Sequence, residues 1–161
     1  MDILLQLIFI AVLIFIFYQD LRYRAIHIIL PVLVIIIAFF LLSLPFSLVI
    51  KNTLINGVFF LLIFGLMVIY MRVKNKNYSN PLQTYFGLGD VIFFLSVAPL
   101  FELKKYLVFI ITSMFFSIIL YFVFLKRKGT ESIPLAGFSA FVLLFLLLVR
   151  SFLKPFTLLL F

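Results

Sequence analysis

Apolar residues dominate six long runs along this chain, and the charged residues other than Asp90 lie outside these runs. The runs are too uniformly apolar for periodicity to distinguish helix from strand, but each has close to the about 20 residues with which a helix crosses a bilayer. A helix also satisfies its own backbone hydrogen bonds, as a segment that faces lipid must. The pattern therefore predicts six transmembrane helices, over residues 3–19, 28–50, 52–71, 85–101, 106–125 and 132–149. Between the second and third helices we expect a corner at Pro45, with Lys51 beyond it.

The composition supports a membrane protein and excludes several other classes. Of the 161 residues, 67% are hydrophobic and only 11% are charged, whereas a water-soluble fold has roughly a quarter of its residues charged. We therefore expect an all-α integral membrane bundle that forms a single domain over residues 1–161. The first apolar run follows no basic stretch, which indicates a retained membrane anchor rather than a cleaved signal peptide. Cysteine is absent, which excludes disulfides and zinc–thiolate modules.

The net charge of +8 predicts the orientation of the chain in the membrane. Basic residues occur singly or in threes between apolar runs, so they form no basic face, and we expect no nucleic-acid partner. The first, third and fifth connections carry eight of the 13 Lys and Arg residues, and loops rich in these residues stay in the cytoplasm. The chain is therefore expected in the cell membrane with both termini outside and with Asp20 and Asp90 at the cytoplasmic face.

Asp90 interrupts the fourth apolar run. A charged side chain at membrane depth costs about 2.5–3.5 kcal/mol on insertion scales, so such a residue is a candidate for function. Gly87 and Gly89 precede it, and their missing Cβ atoms permit unusual backbone angles and the close approach of another helix or an extended peptide. The alternative is that Gly87 to Gly89 form a turn and that Asp90 only caps the fourth helix.

Asp20 ends the first apolar run, and taken alone it is a charge in a connection. Paired with Asp90 it suggests aspartic hydrolysis, in which one carboxyl group takes a proton from water while the other donates a proton to the scissile carbonyl. The sequence offers no better nucleophile, because His27 has no serine and carboxylate arranged around it. No metal-ligand spacing of the HExxH kind is present, so we expect no metal and no cofactor.

Three segments resemble the type IV prepilin peptidases and preflagellin peptidases, a family of membrane aspartic peptidases with a GxGD motif. They are FYQDLRYRAI (residues 17–26), GLGDV (residues 87–91) and IPLAGF (residues 133–138), and they occur in the order found in the family. The resemblance implies a compact member without the methyltransferase region. It also implies that Asp20 and Asp90 are catalytic and that Gly87 and Gly89 let the substrate backbone or the first helix approach. The substrates would be prepilin-like precursors, from which the enzyme removes a leader peptide.

The sequence departs from the family pattern at four positions. His27 and Ile28 stand where the family has Pro and Asn, Ile92 where it has Lys, and Gly137 where it has a second Pro. None of these changes removes a carboxylate. They leave open a second reading, in which the chain is a non-catalytic pseudopeptidase or a small transporter that uses the two aspartates as a proton relay. The sequence also leaves open the identity of the substrate, which aspartate is the base, and the oligomeric state.

Overall fold

The computed structural model describes residues 3–42, 44–74, 87–125 and 133–152, and within these ranges it contains six α-helices and no β-strand. In chain order the helices are α1 (Ile3–Tyr23), α2 (Ile29–Leu41), α3 (Phe46–Lys74), α4 (Leu88–Val97), α5 (Leu103–Leu120) and α6 (Leu135–Phe152). A 3-10 turn, Ala98–Leu100, continues α4, and a π-helical turn, Tyr121–Leu125, continues α5. The prediction of an all-α fold with six helices is confirmed for the described residues.

The helices differ in length more than the sequence pattern predicts. Three segments, Ile3–Tyr23, Phe46–Lys74 and Leu103–Val123, are long and apolar enough to cross a membrane. The prediction of six helices of similar length is wrong for α2, which has 13 residues, and for α4, which has 10 residues before its 3-10 turn. The expected helices over 28–50 and 85–101 are therefore shorter in the structure, and residues 85 and 86 lie outside the described residues.

Proline residues explain several of the observed helix boundaries. Pro45 has no N–H to donate and disfavours helical backbone in the residue before it. The apolar run over 28–50 is therefore divided: α2 ends before Pro45, at the expected corner, and the residues after the proline begin α3. Pro99 lies in the 3-10 turn that follows α4, and Pro134 directly precedes α6.

Several charged residues expected in connections are helical in the structure. α1 continues past its predicted end at residue 19, so Asp20 lies within the helix, and Lys51, Lys104 and Lys105 lie within α3 and α5. The reason is that an apolar run predicts only the part of a helix that can lie in the hydrocarbon core of a bilayer. Backbone hydrogen bonding continues into the polar flanks, where long basic side chains extend toward water.

The core lies between α1, α2, α4 and α6. α6 packs mainly against α1 and α5, α1 also packs against α2, and α2 packs against α4. The buried side chains recur every three or four residues, as expected for the face of a helix that is turned to a core. They include Phe9, Leu13 and Ile16 on α1, Val34 and Ala38 on α2, Phe93 and Val97 on α4, and Ala140 and Leu143 on α6.

Asn56 anchors α4 to α3, which otherwise lies at the edge of the bundle. Of the 29 residues of α3, only Val49, Asn56 and Phe60 are buried. The Nδ2 atom of Asn56 donates hydrogen bonds to the carbonyls of Ala98, at 2.9 Å, and Phe101, at 2.6 Å. Carbonyls at a helix end lack partners within the helix, so a buried amide from a neighbouring helix satisfies them.

Tyr106 on α5 adds a second bond near the same end of α4. Its side chain is fully buried, and its hydroxyl donates to the carbonyl of Phe94 at 2.8 Å. The far end of α4 is thus fixed by polar bonds from two other helices. Its near end, which begins at Leu88 and carries Asp90, faces the beginning of α6.

Candidate active site

Asp20 lies in the last turn of α1 and is almost completely buried, with 5% of its surface exposed. Its Oδ2 accepts a hydrogen bond of 2.6 Å from the backbone N–H of Gly137. The carboxylate therefore points into the bundle toward the first turn of α6. Phe17, one turn earlier on α1, packs against Phe138 and Phe141 of α6, with ring centroids 6.4 and 5.4 Å apart, and this contact holds the two helices together beside Asp20.

Asp90 is the third residue of α4 and is partly buried. Its Oδ1 accepts a hydrogen bond of 2.8 Å from the backbone N–H of Ala136. The same carboxylate also accepts from the N–H of Gly87, which is the N-cap of α4. The alternative in which Asp90 itself caps the helix is therefore wrong. An acidic third residue that bonds back to the N-cap N–H is one half of a capping box.

The two carboxylates meet at the beginning of α6. Ala136 and Gly137 are consecutive, so their N–H groups are adjacent, and each donates to a different aspartate. The N–H groups of the first helical turn have no partner within the helix and form the positive end of the helix dipole, so they bind anionic groups. The charge of Asp20 also acts on Asp90. The structure thus brings together the two aspartates singled out in the sequence, although they are 70 residues apart (90 minus 20).

Gly137 permits the contact between α1 and α6 at this point. A Cβ atom built on Gly137 would lie 2.9 Å from the Cβ of Asp20 and 3.0 Å from its Oδ2, which is too close for any other residue without a shift of the helices. The hydrogen bond of 2.6 Å from the N–H of residue 137 to Asp20 therefore requires glycine at this position.

Gly87 and Gly89 are less crowded than Gly137. Gly87 has φ −69° and ψ 138°, an extended conformation open to any residue, so the unusual backbone angles considered for it do not occur. A Cβ on Gly87 would lie 3.2 Å from Oδ2 of Asp90, and a Cβ on Gly89 would lie 3.5 Å from the Cβ of Ile26. The neighbour that approaches Gly89 is therefore the connection between α1 and α2.

That connection begins with an unusual backbone conformation. Arg24 has φ 54°, in the left-handed region, and its N–H donates to the carbonyl of Asp20 at 3.1 Å. This is the usual way in which a helix ends, but glycine normally occupies the position.

His27, which the sequence offers as a possible catalytic or metal-binding residue, lies outside the aspartate pair. Its N–H donates to the side chain of Gln19 at 3.1 Å, and the residue is exposed. Within the described ranges, no group of three His, Cys, Asp or Glu residues could hold a metal ion.

The sequence alone does not identify two contributors to this site, namely the N–H groups of Ala136 and Gly137. Backbone donors have no residue signature. The one signal for them is residues 133–138, the third segment of the resemblance, which includes Gly137.

The arrangement is suited to acid–base chemistry. Backbone N–H groups bind both carboxylates from one side, and Asp90 is partly accessible to solvent. Two carboxylates in such a setting can share one proton and can exchange protons with a bound water. No protein-family model matches this chain, and no curated protein and no solved structure matches it. The geometry of the site and the sequence pattern are therefore the grounds on which a function is assigned.

Proposed function

We propose that this protein is an integral membrane aspartic endopeptidase that removes the leader peptide from prepilin-like precursors at the cytoplasmic face of the cell membrane. The observation that carries the proposal is the pairing of Asp20 and Asp90 on adjacent N–H groups of α6. The resemblance of three segments to the prepilin and preflagellin peptidases supplies the substrate class. Two of these segments contain the aspartates, and the third begins the helix that binds them.

The proposed reaction is the hydrolysis of one peptide bond by the two carboxyl groups, one ionised and one protonated. The oxygen of a water molecule attacks the peptide carbonyl carbon while the ionised carboxylate takes a proton from the water. The protonated carboxyl gives its proton to the carbonyl oxygen, which forms a tetrahedral diol. When the C–N bond breaks, the first carboxyl protonates the leaving amine, and the second regains a proton from a diol hydroxyl. The pair is thus restored, and no cofactor takes part.

The surface of the bundle supports its proposed insertion into the lipid bilayer. Three helices are long and apolar enough to cross a membrane. Large apolar side chains on α3, among them Leu54, Leu61, Leu66 and Ile69, are each more than half exposed. Such a surface is costly in water and suits lipid. The charge distribution supports an orientation with both termini outside, which places the two aspartates at the cytoplasmic side.

The substrate's own hydrophobic helix would lie in the bilayer beside the enzyme, with its leader junction at the membrane surface. The substrate segment around the scissile bond would bind in an extended conformation, because its peptide carbonyl must be open to attack by the water between the two carboxyl groups. The partly exposed Asp90 is the member of the pair that such a segment can approach.

A proton relay in a small transporter is the second candidate, and one observation favours it. Asp20 has only 5% of its surface exposed, and a buried carboxylate beside another carboxylate is typical of proton pathways in membranes. The relay and the peptidase differ in whether a peptide is cleaved.

The test is precursor cleavage by the purified protein reconstituted in lipid vesicles, with leader loss read by mass spectrometry. Asp20→Asn and Asp90→Asn should each lower the rate by at least about 100-fold, because the amide cannot exchange the proton. The double variant should be no worse, since either change removes the same shared step. Glu102→Gln is the matched control, because Glu102 is an exposed carboxylate whose ion pair, at 3.8 Å with Lys105, lies on the surface.

Cleavage near the wild-type rate by either Asn variant would refute the aspartic mechanism. A wild-type protein that carries protons across the vesicle membrane and cleaves no precursor would favour the relay.

A further inference from the structure

One arginine and two tyrosines form an exposed cluster at the end of α1. The guanidinium of Arg22 lies 5.7 Å from the ring centroid of Tyr18 and 5.4 Å from that of Tyr23, and it donates a hydrogen bond to the Tyr18 hydroxyl. Tyr18 is 45% exposed and Tyr23 is 62% exposed. Aromatic faces attract a cation, so these three residues, the Arg22 cluster, hold one positive charge in a defined position.

The Arg22 cluster is turned away from the two aspartates. A helix turns by about 100° per residue, so Tyr18 and Arg22, each two positions from Asp20, lie about 160° from it around the axis of α1. Asp20 is buried and bonds to α6. Arg22 therefore faces the surroundings of the bundle, on the opposite side of α1 from the proposed catalytic pair.

The guanidinium of Arg22 has donors to spare. It carries five N–H groups, and within the described ranges its bond to Tyr18 is the only hydrogen bond that it makes. It also forms no ion pair with a carboxylate of the described residues. Its planar donors fit an anionic group that accepts two parallel N–H bonds, such as a phosphate.

A second tyrosine and basic residue occupy the end of α3. Nζ of Lys74 lies 5.7 Å from the ring centroid of Tyr70, and both residues are exposed. α3 runs antiparallel to α4, because Asn56 bonds at the far end of α4, whereas Phe60, one turn later, packs on Phe94 with ring centroids 5.5 Å apart. The end of α3 therefore lies on the side of the bundle where α4 begins and α1 ends.

Tyrosines and basic residues that share one side of an apolar bundle are typical of the interface between membrane and water. The phosphates of lipid headgroups lie at this level, and anionic lipids attract basic side chains there. We propose that the Arg22 cluster binds the phosphate of an anionic phospholipid. The inference rests on the insertion into the bilayer proposed above, and it does not depend on peptidase activity.

The test uses tryptophan fluorescence, because the chain has no native tryptophan. Tyr23→Trp places a single indole beside Arg22 and keeps an aromatic ring at this position. The purified variant is reconstituted in vesicles of phosphatidylcholine and phosphatidylglycerol. Two vesicle preparations have the same lipid composition and carry bromine on an equal fraction of the lipids, either on the anionic or on the zwitterionic one. Bromine on the acyl chains quenches an indole that it contacts.

Attraction of one basic residue to an anionic membrane surface corresponds to about a fivefold preference. We therefore expect brominated phosphatidylglycerol to quench Tyr23→Trp about two- to fivefold more strongly than brominated phosphatidylcholine. Adding Arg22→Gln should abolish the difference. Adding Arg72→Gln, which removes an exposed charge from α3, should leave it unchanged. Phe115→Trp, at a residue of α5 that is 65% exposed, should be quenched equally by both lipids.

Equal quenching of Tyr23→Trp by the two lipids would overturn the inference, as would a preference that survives Arg22→Gln. An equal loss of the preference in Arg72→Gln would also overturn it, because the attraction would then come from the general surface charge. If Arg22→Gln left the quenching unchanged and raised KM for precursor cleavage, the cluster would bind an acidic segment of the substrate instead. If no lipid quenched Tyr23→Trp or Phe115→Trp, the proposed insertion would fail as well. Absence of precursor cleavage by the wild type would overturn the peptidase proposal and leave the lipid site in place.

Discussion

Replacing Gly137 with alanine tests the closest approach between α1 and α6. The added Cβ would lie 2.9 Å from the Cβ of Asp20, whereas carbon atoms pack favourably at about 3.5–4.0 Å. The helices would have to separate by several tenths of an ångström, and overpacking of this kind costs about 1–3 kcal/mol. The bond of 2.6 Å from the Gly137 N–H to Asp20 would lengthen or break as well, and a hydrogen bond to a charged group contributes about 1.5–3 kcal/mol.

Helix propensity alone predicts the opposite sign. Alanine in the middle of a helix is more favourable than glycine by about 0.5–1 kcal/mol. Gly65 in α3 has no atom within 4 Å of an added Cβ, so Gly65→Ala is the matched control and should increase the free energy of unfolding by that amount. For Gly137→Ala we expect a net decrease of about 1–3 kcal/mol, because the steric and hydrogen-bond costs exceed the gain in propensity.

The assay measures denaturant unfolding of both variants in the same detergent and then precursor cleavage in vesicles. Gly65→Ala should cleave like the wild type, and Gly137→Ala should lose at least about tenfold in rate, since small displacements of a catalytic group are costly. If both variants were stabilised equally and both cleaved normally, Asp20 would not lie against Gly137 and the site geometry would be refuted.

Two further predictions concern the anchor of α4 and the orientation of the chain. Asn56→Ala should lower the free energy of unfolding by about 2–4 kcal/mol, because two buried carbonyls lose their donor. Asn52→Ala, one turn away on α3, is its control, and equal stability of the two variants would contradict the anchor. The chain has no native cysteine, so a cysteine introduced at Asn52 should react with a membrane-impermeant thiol reagent in intact cells, whereas one at Lys76 should be protected. The reverse pattern would place the aspartates outside.

The sequence predicts the number of helices and the two aspartates for a simple physical reason. Long apolar runs must be helical if they face lipid, so six runs give six helices. A charge within or at the end of such a run stands out against the apolar background, which is how Asp20 and Asp90 are found. Both arguments depend on residue type and spacing alone.

The remainder of the site depends on information that residue types do not carry. The donors to the aspartates are the backbone N–H groups of Ala136 and Gly137, and every residue except proline has such a group. The steric limit at Gly137 arises only when α1 and α6 pack together. The length of the apolar run overestimates α2, because the run continues across Pro45 while the helix ends at Leu41.

The short helices have a consequence for how water reaches the proposed peptidase site. With 13 residues, α2 spans about 20 Å, and α4 with its 3-10 turn is similar, against about 30 Å of hydrocarbon in a typical bilayer. Because α2 and α4 are neighbours, the bundle is thin on one side, and a bilayer adapts to such a mismatch by local thinning. In the proposed membrane setting, headgroups and water would lie deeper beside Asp90 than beside helices of full length. Local thinning of this kind would supply the proposed peptidase with the water that its reaction consumes.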